Sequence, residues 1–139
     1  MIIAPEYLCI TNLLLVISFT FFVINSNKNI AECYLGVCLL LTIIFSQLFW
    51  KNPKQHSTIH KLDAIVAKIS ILSFILYTIL YKNLNNYLLG SYLILMAGVF
   101  YSFYYSNKYS SQEWCCDNHI IYHGCSHLFV FAGSFYAFL

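Results

Sequence analysis

The sequence predicts an all-α protein, a polytopic membrane bundle of about five transmembrane helices. Two observations predict it. First, 60% of the 139 residues are hydrophobic and only 9% are charged, whereas a soluble domain carries about 25% charged residues. So few charges cannot clothe a globule in water, and lipid must replace water over much of its surface. Second, the apolar residues fall into long runs, each near the roughly 20 residues that cross the hydrocarbon core as a helix.

The runs follow in order. The first covers 7–24 and ends in the polar string Asn25, Ser26, Asn27, Lys28, Asn29. No basic residue precedes it and no small-residue cleavage site follows, so it reads as a retained span and not as a signal peptide. The second covers 31–50. A polar loop from Lys51 to Lys61 leads to the third, 63–81, and Lys82, Asn83, Asn85 and Asn86 make the next turn. The fourth covers 87–105. A second polar loop, Ser106 to Asn118, precedes the fifth, 119–139. Tyr7, Trp50, Tyr81, Tyr87, Tyr104, Tyr105 and Trp114 sit at run ends, as the aromatic belt of the water interface requires. No repeat is visible, and the length suits one transmembrane helical domain, 1–139.

Five spans place the N-terminus and the two polar loops on one side. That side holds Lys51, Lys54, Lys61 and Lys108, while the other holds Lys28 and Lys82. The excess of Lys puts the first group, and with it the N-terminus, in the cytoplasm. The net charge of +2, carried by Lys alone over short loops, leaves no footprint for nucleic acid. The expected partners are membrane lipids. The six Cys imply no secreted disulfide framework.

The informative feature is where polar side chains gather. His119, His123 and His127 open the fifth span at spacing i, i+4, i+8, which stacks three imidazoles on one helix face. Ser46 lies near the end of span two, His56 and His60 lie in the following loop, and Asp63 opens span three. Odd-numbered spans begin on one side and span two ends there, so all of these residues meet at one leaflet. Ionisable groups within spans are costly and tend to be functional. Two His at i and i+4 can bind one metal from a single turn, and catalytic zinc takes three protein ligands plus water. The plainer alternative is a hydrogen-bonded polar face packed between helices. Cys115 and Cys116 near His119 form a weaker soft-ligand cluster. Lys68, a turn and a half inside span three, either snorkels toward the head groups or finds a partner such as Asp63 or a phosphate.

Three segments carry a family likeness. Tyr122-His123-Gly124-Cys125-Ser126-His127, followed by an apolar run and Ala132-Gly133-Ser134, resembles the last span of hemolysin III-type proteins. His60-Lys61-Leu62-Asp63-Ala64-Ile65 resembles the start of their third span, and Ser46-Gln47-Leu48-Phe49-Trp50 sits where they have Ser-x-x-Tyr-His. These proteins group with the progestin and adipoQ receptors and the alkaline ceramidases. The resemblance implies a shortened, divergent member of that superfamily with zinc as cofactor. It implies His123 and His127 as metal ligands, Asp63 as general base and Ser46 beside it. The implied activity is zinc-dependent hydrolysis of a lipid amide or ester. The third ligand is open among His60, His56 and His119, in that order. Two departures stand out. Trp50 occupies the place of the family's first metal His, and indole has no lone pair for a metal. Two of the family's seven spans have no counterpart, although losing an even number preserves the side on which the His pair enters. Trp50 favours the alternative function, a non-catalytic structural or regulatory membrane protein that has lost the metal site.

Overall fold

The computed structural model describes residues 2–139 and contains no strand among them. Five helices follow one another: α1 Tyr7–Asn25, α2 Ile30–Trp50, α3 Thr58–Leu80, α4 Asn86–Gln112 and α5 Asp117–Ser134. A 3₁₀ turn, Phe135–Phe138, continues α5. The protein is an all-α bundle, and α1 to α4 are each long and apolar enough to cross a membrane. The first turns of α5 are more polar, yet α5 runs the height of the bundle. At its start Asp117 accepts the N–H groups of Ile2 and Ile3, ahead of α1. Beyond its end, Phe138 packs on Phe22, in the last turn of α1.

Side-chain caps mark where several helices begin. A helix start leaves backbone N–H groups without partners, and a short polar side chain can accept one of them. Asn29 accepts from Glu32 N–H, Ser57 from His60 N–H and Asn85 from Leu88 N–H. The Ser57 cap starts α3 at Thr58, ahead of the expected 63, so His60 lies in the first turn of the helix and not in a loop. The larger difference is at α4, which continues to Gln112, well past the expected end at 105. Its polar last turns stay helical because Ser110 and Ser111 donate back to the carbonyls of Asn107 and Lys108. Tyr105 and Tyr109 also stack on Tyr122 of α5. The loop expected over Ser106–Asn118 thereby shrinks to four residues between α4 and α5.

Neighbouring helices alternate in direction. Asn12 donates to Ile43 O and Gln47 to Cys9 O, which pairs α1 and α2 antiparallel. Thr42 and Ser70 join α2 to α3 at 2.9 Å. Ser91 meets Tyr136 and Ser106 meets His123 at opposite ends of the α4–α5 pair. The packing order is α3–α2–α1–α5–α4, an arc. Its two edges, α3 and α4, are joined by a short connection at one end, and their backbones hardly approach each other. Ile71 and Ile75 of α3 touch the Tyr92–Met96–Val99 cluster of α4. A cavity occupies the interior between the edges.

At the end of the bundle away from the His residues, Glu32 is fully buried. It accepts from Ser26 Oγ at 2.7 Å, Asn27 N–H at 2.7 Å, Tyr77 Oη at 2.9 Å and Lys82 Nζ at 3.2 Å. One carboxylate thus ties the α1–α2 connection to the α3–α4 connection.

Candidate functional site: a cavity with a histidine-rich end

The i, i+4, i+8 spacing of α5 gives a continuous imidazole column. Ring centroids of His119 and His123 are 5.9 Å apart, and those of His123 and His127 are 5.0 Å apart. Both pairs are edge-to-face. α2 delivers Ser46 and Trp50 to the same place, and α3 delivers His60 and Asp63. Ser46, His56, His60, Asp63, His119, His123 and His127 all border one cavity of about 630 Å³. Asp63 is 8% exposed and belongs to no ion pair: among the described residues the one ion pair joins Lys82 and Glu32.

Hydrogen bonds decide which imidazole nitrogens are free. A neutral imidazole has one N–H donor and one acceptor nitrogen. His127 Nδ1 lies 2.8 Å from Thr11 Oγ1, and that hydroxyl also reaches Leu8 O. With the hydroxyl hydrogen on Leu8 O, its oxygen accepts the Nδ1–H of His127 and the lone pair of His127 sits on Nε2; with that hydrogen on His127, Nε2 carries the ring proton. His123 Nδ1 meets Ser106 Oγ at 3.1 Å. His60 differs: its Nδ1 accepts the backbone N–H of His56 at 3.0 Å, and its ring stacks on Phe49 at 4.7 Å. His119 Nδ1 likewise accepts the N–H of Cys115 at 3.2 Å. In neutral His60 and His119 the remaining nitrogen must carry the proton, so neither ring has a lone pair to offer.

A catalytic zinc needs three such lone pairs or carboxylates. His123 and His127 are the two imidazoles not committed to a backbone donor. Among the described residues no three His, Cys, Asp or Glu side chains converge tightly enough to hold a metal ion. Trp50, 1% exposed, fills the place beside them, its ring 4.7 Å from His123 and 5.9 Å from His119. Its buried indole N–H has no hydrogen-bond partner. His56 lies exposed in the loop with a positive φ of 61°. Cys115 does not substitute. Burial, with Cys116 and Glu6 adding to it, pushes its thiol up to about 11, and it is the thiolate that binds metals. As they stand, the residues do not fit a three-ligand zinc centre.

Below the His column the lining becomes mainly apolar, with Leu15, Leu39, Phe74, Met96 and Val99; the hydroxyls of Thr42, Ser70 and Ser134 there are bonded within the bundle, and that of Tyr92 has no partner. The bordering residues of α4 run from Tyr92 to Ser111, about 28 Å of helix at 1.5 Å per residue. That approaches the roughly 30 Å depth of the hydrocarbon core.

Several residues of the site escaped the sequence reading. Thr11 and Ser106 orient the two free His rings, and Asn107, Ser110 and Ser111 form a polar wall on α4. A signal was present. Ser102, Ser106 and Ser110 repeat the i, i+4, i+8 spacing of the three His, but a fourth span ended at 105 hides it. Comparison of the chain with family models, with curated proteins and with solved structures finds no match.

Proposed function

We propose that this multi-pass membrane protein holds a single-chain amphiphile in its bundle. The polar end of the ligand would rest at the His column and its chain would occupy the apolar half. One observation carries the reading: a single cavity is polar at one leaflet, apolar below, and bordered by helices that leave a gap between α3 and α4. Its volume of about 630 Å³ lies inside the roughly 300–1,000 Å³ range of small-molecule sites. The chain reads best as a shortened, divergent relative of the hemolysin III-type, progestin and adipoQ receptor and alkaline ceramidase proteins. It keeps their polar cluster and replaces a metal ligand by Trp50. On this reading it is a lipid-binding, non-catalytic protein.

A second reading, zinc-dependent hydrolysis of a lipid amide or ester, is supported by His123 and His127 sharing the cavity with Asp63, and it requires these side chains to draw closer than they stand. One preparation separates the two. Purified wild-type protein should retain a single-chain lipid by native mass spectrometry, and Ala67→Trp, which fills the cavity wall, should lose it. Stoichiometric zinc in the wild type, lost in both His123→Ala and His127→Ala, would transfer the assignment to the hydrolase.

A further inference from the structure

Lys68 is the charge the fold leaves unexplained. It lies at the eleventh position of the 23-residue helix α3, about 15 Å from its start and therefore near mid-depth of the bilayer. A lysine there is costly unless it meets a partner or reaches water. Lys68 is exposed, borders the cavity, and takes part in no ion pair among the described residues. It stands where α3 and α4 part, on the His side of the contact that Ile71 and Ile75 make with the Tyr92–Met96–Val99 cluster, and Leu72 and Phe100 are also exposed there, 56% and 60%. Helical side chains lean toward the helix N-terminus, which for α3 is the His end. The Cα–Cβ bond of Lys68 is thus aimed toward the level of Asp63. Asp63 itself is buried and lies a turn and a half nearer the His end, so an anion arriving through the gap meets Lys68 first. Across from it, Ser106 and Ser110 of α4 border the cavity with their hydroxyls already bonded to His123 Nδ1 and Asn107 O, which leaves Lys68 as the group for an anion.

We propose that the gap between α3 and α4 is a lateral portal, and that Lys68 binds the head group of an anionic lipid entering through it. The occupant is a single-chain lipid with a phosphate monoester head, of the lysophosphatidate class. Its head rests between the His column and Lys68, paired with the ammonium, and its chain passes down the lining from Val99 to Tyr92. The volume suits one acyl chain and not two. The surrounding leaflet supplies the ligand, so no opening to water is required. This proposal rests on the reading of the cavity as an amphiphile site.

Trp50 and Trp114 border the cavity and serve as intrinsic probes. The full chain is placed in zwitterionic-lipid nanodiscs and titrated with lysophosphatidate or lysophosphatidylcholine, each brominated on the first carbons of its acyl chain, beside the head and nearest the two tryptophans. Both should quench tryptophan fluorescence. Lysophosphatidate should reach half-saturation at roughly tenfold lower concentration, the scale of one charge-assisted hydrogen bond. Lys68→Gln should abolish that preference while leaving quenching by lysophosphatidylcholine intact, and Lys68→Arg should preserve it. Equal half-saturation for the two heads in the wild type overturns the role of Lys68 and leaves the amphiphile site standing. A preference that survives Lys68→Gln does the same. Absence of specific quenching by either lipid overturns both.

Discussion

Buried polar side chains in this protein differ sharply in how well they are satisfied. Glu32 accepts four hydrogen bonds, one of them from a lysine, while the indole N–H of Trp50 has no partner at all. Removing one member of a buried charged network strands the rest, whereas an isolated neutral donor can be replaced at little cost. Glu32→Ala would leave Lys82 and Tyr77 facing an apolar gap and should destabilise the fold by about 3 kcal/mol. Glu32→Gln, which keeps the shape and loses the charge, should cost less. Thermal unfolding in detergent checks both; a Glu32→Ala protein as stable as the wild type would mean that the network does not hold the two connections together.

Among the elements, helix existence was legible in the sequence and helix ends were not. Apolar runs long enough to span a membrane announce themselves by composition, so α1 and α2 lie where 7–24 and 31–50 were expected. The end of α4 escaped because its last turns are polar. Their helical partners, the Tyr122 ring and the cavity face, belong to another element. The site shows the same division. The gathering of Ser46, Asp63 and the His column around one cavity was readable from helix parity and periodicity. The ring nitrogens left free were not, because they depend on Thr11, Ser106 and two backbone N–H groups brought in by folding. Close approach of elements is likewise invisible in one dimension. A Cβ on Gly36 of α2 would run into the Phe22 ring of α1, whereas one on Gly90 of α4 would meet open space. Gly36→Ala should therefore cost about 1–3 kcal/mol through overpacking. Gly90→Ala should be neutral or gain up to about 1 kcal/mol, since Ala is the better helix former. Parallel melts of the two variants test the pair, and equal effects would mean that the α1–α2 contact can yield without loss.

For the whole molecule, five alternating helices give the bundle two chemically different ends. One carries the His column, the N-terminal residues held by Asp117, and Lys51, Lys54, Lys61 and Lys108. The other carries Lys28 and Lys82, and neither is a free loop charge. Lys28 donates to the carbonyls of Phe22 and Val23 at the end of α1, and Lys82 is paired with Glu32. Those contacts leave both ammonium groups charged, so the asymmetry that bears on orientation is the count itself, four lysines against two, which favours the His end in the cytoplasm. The expectation can be tested without touching either terminus. In a background lacking reactive cysteines, Lys54→Cys on the α2–α3 connection should be shielded from an impermeant maleimide added outside intact cells. Asn83→Cys on the α3–α4 connection should be labelled. The reverse pattern would place the portal's polar end in the outer leaflet and deny Lys68 the cytoplasmic pool of anionic lipid. Labelling of both positions from one side would contradict the passage of α3 across the membrane, and with it the common leaflet that gathers Asp63, Ser46 and the three His.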